Sequence, residues 1–170
     1  CIHSCPFGAL SSKANLVEVC RDLVAGKRLV AMIAPSWEGQ FGPDITVASW
    51  RTVLKEAGFD DLVEVALGAD MTAYSEAAEW GEAYKKGEKK TTSCCPAFVN
   101  MIEKHFPALK DAISETASPM CGVSRMLKAL DPDVKTVFIG PCISKKDEAE
   151  RYEGIVDAVL TFDELSSWLN

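Results

Sequence analysis

Apolar residues in this chain fall into short blocks separated by polar and turn-forming stretches, and the blocks alternate between two periodicities. Residues 28–34, Arg-Leu-Val-Ala-Met-Ile-Ala, form an almost unbroken apolar run of the kind expected for a parallel strand buried on both faces. Asp44 then offers an N-cap for a helix to about Ala57, with Ile45, Trp50, Val53 and Leu54 on its apolar side and Gly58 as its stop. Residues 62–66 read as a second strand, and Asp70 as the cap of a helix reaching about Lys86 and ended by Gly87. Residues 89–93 predict a shorter, weaker third strand, and residues 135–139 and 157–161 a fourth and fifth. Two helices, about 96–106 and 120–130, lie between the third and fourth strands, punctuated by Pro107 and Pro119. Thr161-Phe162-Asp163-Glu164 has the form of a capping box and opens a last helix carrying Leu165, Trp168 and Leu169.

This alternation predicts an α/β fold, a parallel sheet of about four to five strands with helices on both faces. In such sheets ligands collect outside the carboxyl ends of the strands. Three segments converge on that edge: Ala34-Pro35-Ser36 after the first strand, Cys94-Cys95 after the third, and Cys142 after the fourth. Pro96 suits the first position of a helix, which puts the cysteine pair at a helix N-terminus, where the backbone dipole favours thiolates.

Composition narrows the chemistry. The chain has 170 residues, 48% hydrophobic and 25% charged, enough for one well-packed domain. No uninterrupted apolar run approaches the ~20 residues of a membrane span, and none is expected. A formal charge of -7 argues against binding phosphate backbones, so nucleic acid is not an expected partner. Seven cysteines in a chain too large to need disulfide staples point to reduced thiols or metal thiolates, and hence to a cytoplasmic location.

Adjacent cysteines make a poor disulfide, so Cys94 and Cys95 are better read as having two different jobs, one binding metal and one moving protons. Cys1-Ile2-His3-Ser4-Cys5-Pro6 carries the C-x-x-x-C-P spacing that closes a bacterial ferredoxin run. Two unrelated loop cysteines are the plainer alternative. Read as a ferredoxin remnant, Cys1 and Cys5 become iron ligands, and residues 1–26 the end of an iron-sulfur module in a longer protein. Glu76 and Glu79 share a face of one predicted helix and could pass a proton between them, although such a pair is commonly just a solvated surface. His3 and His105 lack the paired C-x-x-C spacing that would support zinc.

Thr92-Ser93-Cys94-Cys95-Pro96 followed by Gly140-Pro141-Cys142-Ile143-Ser144-Lys145-Lys146-Asp147-Glu148 resembles the T-S-C-C-P and M-P-C-x-x-K-x-x-E segments of the catalytic domain of iron-only (FeFe) hydrogenases. Ala34-Pro35-Ser36, Gly68-Ala69-Asp70-Met71-Thr72, Ser118-Pro119 and residues 157–161 extend the likeness over nearly the whole chain. The resemblance implies one lobe, residues 27–170, of the domain that holds the H-cluster, a [4Fe-4S] cubane joined to a diiron subcluster, which interconverts H2 with protons and electrons. It implies that Cys95 and Cys142 are two of four cubane ligands. Cys94 becomes the proton-exchanging thiol, with a route onward through Glu76, Ser114 and Glu79. It also implies that the Lys145 ammonium meets a cyanide ligand, with Glu148 completing its motif, and that Ala34, Pro35, Ser36 and Pro141 belong to loops lining the diiron pocket. Implied partners are ferredoxin or a similar carrier, reached through N-terminal [4Fe-4S] clusters, together with maturation proteins and the C-terminal lobe of the same protein.

The departures matter too. Gly140 stands where many members have methionine, and Met120-Cys121 where many have two glutamines, which implies altered packing around the diiron unit. Cys121 and Cys20 read most simply as packing residues. The family's last two cubane cysteines lie in a C-terminal C-x-x-x-C segment, and the expectation for these 170 residues alone is a folded lobe without cluster or turnover. Two other functions remain open: a non-catalytic relative that senses H2 or assembles iron-sulfur clusters, and a thiol-redox or interaction domain.

Overall fold

β1 (Leu29–Ile33) is the centre around which the chain is organised, and all five of its residues are buried. The structure is a computed structural model that describes residues 5–7 and 9–169. The proposed iron ligand Cys1 therefore lies outside the described residues. The order continues from α1 (Leu16–Val24) through β1, α2 (Val47–Glu56), β2 (Asp61–Glu64), α3 (Ala66–Lys85), α4 (Pro96–His105), α5 (Pro119–Leu130), β3 (Lys135–Gly140), α6 (Ser144–Arg151), β4 (Ala158–Thr161) and α7 (Phe162–Leu169). The four strands form one parallel sheet in the order β2-β1-β3-β4. Helices cover both faces of it, as the alternating pattern predicts. Fully buried Leu29, Ile33, Ile139 and Leu160 each contribute about 1.5–3 kcal/mol on leaving water.

The third predicted strand does not form. Residues 89–93 make only an isolated parallel bridge, Thr91 with Ile113, closed by Thr91 N–H to the Ala112 carbonyl at 2.7 Å and Ser114 N–H to the Thr91 carbonyl at 2.9 Å. The segment is polar and has no apolar face to lay on the sheet, so it stays off the sheet and is anchored by Thr92 and Ser93, which donate to Glu76 of α3. Two helices escaped the sequence reading. α1 is amphipathic, with Val19 buried, and α6 is so polar that no apolar stripe announces it, although Lys146 and Glu148 within it are buried.

Two helix starts also differ from expectation. α2 is capped by Thr46, whose hydroxyl accepts from the Ser49 N–H in a reciprocal capping box, two residues beyond Asp44. α3 begins at Ala66, directly after β2, which leaves Asp70 inside the helix. Tertiary contact drives that early start: a Cβ on Gly68 would lie 2.4 Å from the Pro119 carbonyl oxygen, so only glycine lets α3 seat its first turn against α5. The capping box at Thr161 and Glu164 forms as its sequence predicts, with N–H donations at 2.8 and 3.1 Å.

The order β2-β1-β3-β4 creates a switch point. The connection after β1 leads to one side of the sheet and the connection after β3 to the other, opening a crevice between their carboxyl ends. The Ala34–Ser36 and Pro141–Cys142 loops flank this crevice.

Candidate active site

A cleft of about 190 Å³ occupies the crevice, with Ala34 and Pro35 on one side and Cys94, Phe138 and Lys145 on the others. Ser36, in the short 3-10 turn Pro35–Trp37, and Pro141 are exposed and lie outside this lining. Cys94 reaches the cleft because Pro96 starts α4 and Cys95 occupies its N-cap position. The expectation of a cysteine pair at a helix N-terminus is met, but a loop rather than a strand delivers it. Cys95 is exposed, and Cys142 is half-buried in the turn between β3 and α6, its carbonyl accepting from the Lys145 N–H at 3.2 Å.

Lys145 ties the two cysteine segments together. Its Nζ donates to the Cys94 carbonyl at 3.0 Å and pairs with Glu148 Oε2 at 2.6 Å. The lysine and glutamate side chains are 12% and 6% exposed, so the ammonium is held in place by a carboxylate almost wholly removed from water. Charge-assisted bonds of this kind are short and orienting. The other oxygen of Glu148 lies 3.9 Å from the Cys121 thiol, and Cys121 is buried in α5. Burial pushes the Cys121 thiol up, with the Glu148 charge adding to it, so this cysteine is a protonated packing residue.

On the far side of Cys94 a chain of polar groups leads away from the cleft. The Thr92 hydroxyl lies 3.2 Å from Cys94 Sγ and 2.9 Å from Glu76 Oε1, so a single oxygen bridges thiol and carboxylate. The Ser93 N–H also donates to Glu76 at 2.9 Å. One turn further along α3, Glu79 accepts from the Thr116 hydroxyl at 2.6 Å and the Glu115 N–H at 3.3 Å. Burial alone would raise Glu79, but these bonds, one from Ser114 and the nearby Lys90 bring it below the usual carboxylate range. Glu76, Glu79, Ser114 and Thr92 all line a second opening of about 450 Å³. The i,i+3 glutamates thus share a cleft and are not merely a solvated face. Thr92 and Thr116 were not assigned roles from sequence, where Thr92 is visible only as one letter of the cysteine motif.

The fold and these residues define an α/β domain of the iron-only hydrogenase kind. The model of the family described as "Iron only hydrogenase large subunit, C-terminal domain" matches residues 27–170, and the chain belongs to that family. Iron hydrogenase 1 of Clostridium pasteurianum is 34% identical over 96% of this chain and 33% of its own length. The cytosolic Fe-S cluster assembly factor NAR1 of Eremothecium gossypii is 31% identical over 95% of this chain and 38% of its own. An apo [FeFe]-hydrogenase, HydA1 from Chlamydomonas reinhardtii, in a single-residue variant, shares the fold with a TM-score of 0.84 at 23% identity, over 92% of this chain and 47% of that one. The chain spans about a third of the length of these sequence relatives.

The donor set suits part of an iron-sulfur site. The Cys94 thiol in the cleft wall, the fixed Lys145 ammonium and apolar neighbours fit an anionic, sulfur-ligated group, which positive charge stabilises in a dry environment, while Cys95 and Cys142 lie outside the lining. Among the described residues no three or more His, Cys, Asp or Glu side chains converge as a metal site. Among them, no helix is long and apolar enough to cross a membrane.

Proposed function

We propose that residues 27–170 are one lobe of the H-cluster domain of an iron-only hydrogenase, and that the parent protein interconverts H2 with protons and electrons. The observation that carries this reading is the position of Cys94, facing a cleft beside the Lys145 ammonium and joined through the Thr92 hydroxyl to Glu76. The H-cluster, when bound, would supply the redox chemistry. Cys95 and Cys142 would hold its cubane together with ligands from the C-terminal lobe of the parent, with Cys1 and Cys5 serving N-terminal [4Fe-4S] clusters that pass electrons to a ferredoxin in the cytoplasm.

The chain's own residues divide the remaining work. Lys145, fixed by Glu148, presents positive charge to anionic ligands such as cyanide. Cys94 exchanges a proton at Sγ, and Thr92 passes it to Glu76. Ser114 and Glu79 continue the route toward solvent, along the opening that both line. The Cys94–Thr92–Glu76 contacts, at 3.2 and 2.9 Å, support the first steps of that transfer, and the shared opening of Glu76, Ser114 and Glu79 supports the remainder.

The test is the parent protein, matured and assayed for H2 evolution and for iron. Cys94→Ser leaves iron content near wild type and lowers turnover by about 10²-fold or more, while Cys142→Ser lowers iron content. Full turnover in Cys94→Ser with normal iron would end the proton-relay assignment. The likeness to NAR1 favours a second reading, an iron-sulfur assembly role. That reading gains if the matured parent binds iron yet evolves no H2.

A further inference from the structure

Phe138 and Gly140 stand two residues apart on β3, on the same face of the sheet. A Cβ placed on Gly140 would lie 2.7 Å from Phe138 Cε1, 2.9 Å from Phe138 Cζ and 3.1 Å from the Ala34 Cβ. The phenyl ring therefore occupies the space that a side chain at position 140 would need. Gly140 is not among the glycines with positive φ, so the backbone does not demand glycine there. Its missing side chain serves to make room. Phe138 is 4% exposed, and the side of the ring that is not buried in the core lines the cleft beside Cys94, Lys145 and Met120.

We propose that Phe138, admitted by the bare Gly140, is the selectivity wall of this cleft, which confines it to compact groups next to Cys94 and Lys145. The identity of the natural occupant rests on the hydrogenase reading; the steric coupling of the two positions does not. An aromatic ring is rigid, with two side-chain torsions, and the tight packing against Ala34 and Gly140 leaves it no alternative place within β3. A ring so held sets the shape of the cleft more firmly than a flexible chain at 140 would.

The experiment uses the 170-residue chain. Cys94 is alkylated at one pH with a small reagent, iodoacetamide, and with a bulky one, N-phenylmaleimide, and fragment mass spectra separate Cys94 from exposed Cys95. The ratio of bulky to small labelling at Cys94 cancels the thiolate fraction. Phe138→Ala raises that ratio by roughly tenfold and leaves Cys95 unchanged, the scale on which pocket shape discriminates. Phe138→Leu gives a smaller rise. An unchanged ratio at Cys94 in both variants would overturn the assignment.

Unfolding of the same chain reads the coupling separately. Gly140→Met lowers the thermal midpoint by roughly 5 °C or more, and Phe138→Ala in the same molecule restores most of the loss. Simple additivity of the two losses would equally overturn it. A matured parent that binds no iron while both results hold would refute the hydrogenase reading and leave the wall standing.

Discussion

The ammonium of Lys145 donates to the main-chain carbonyl of Cys94 across 51 positions of sequence, at 3.0 Å. This bond joins the segment before α4 to the first turn of α6, and it does so at the carboxyl edge of the sheet, where the fold concentrates its chemistry. The same ammonium is paired with Glu148, so one buried cation fixes both cysteine segments.

Loss of that cation should be costly. Lys145→Met leaves the Glu148 carboxylate buried without its partner and lowers stability by about 3–5 kcal/mol in denaturant unfolding. Lys145→Met with Glu148→Leu recovers most of this, because the uncompensated charge is gone. A double variant no more stable than the single one would show that the pair acts through shape and not charge.

Gly68→Ala tests the seating of α3. The added methyl would meet the Pro119 carbonyl oxygen at 2.4 Å and Val123 Cγ2 at 2.7 Å, and a backbone atom cannot swing aside. The expected loss is about 1–3 kcal/mol or more, despite the better helix propensity of alanine. Because Glu76 and Glu79 lie on the same helix, the variant should also weaken protection of the Ser93 amide against hydrogen exchange.

Asp157 gives the stability an acid limb. Burial alone would raise its carboxyl, yet bonds from Lys128 and Lys135 and the Thr136 N–H hold it below the usual range. A lowered folded value means stability that is present above the unfolded value, about pH 4, and is lost as pH falls through the folded one. Lys135 is raised by its bond to Asp157, so its share is present below its unfolded value and is lost only as pH rises through the folded one. Asp157→Asn should therefore flatten the fall in melting temperature below about pH 4 and lower stability at pH 7 by about 2 kcal/mol.

Thr92→Val keeps the size of the side chain and removes the oxygen between Cys94 and Glu76. The expected result in the matured parent is a loss of turnover by about 10²-fold with iron content unchanged. Turnover equal to wild type would mean that the proton leaves Cys94 by another path.

The sequence alone determined the class of fold, because buried parallel strands must be nearly all apolar and the helices between them must carry a stripe. β1, β3 and β4 and five of the helices are legible on that ground, and so is the cysteine pair at a helix N-terminus, announced by Pro96; β2, with only Leu62 buried, is legible less sharply, as residues 62–66 where the strand is Asp61–Glu64. α6 is not, since Lys146 is buried by bonding the distant Lys13 carbonyl and Glu164 while Glu148 is buried against Lys145 and Cys121, and periodicity sees only polar letters. The expected strand at 89–93 fails for the complementary reason, as its pairing depended on a neighbour the sheet does not offer. Local pattern fixes elements because it reports each element's own face. Only the tertiary structure decided that Thr92 bridges Cys94 to Glu76, that Lys145 spans both cysteine segments and that Phe138 fills the room left at Gly140, since each depends on distances between residues that the chain brings together only when it folds.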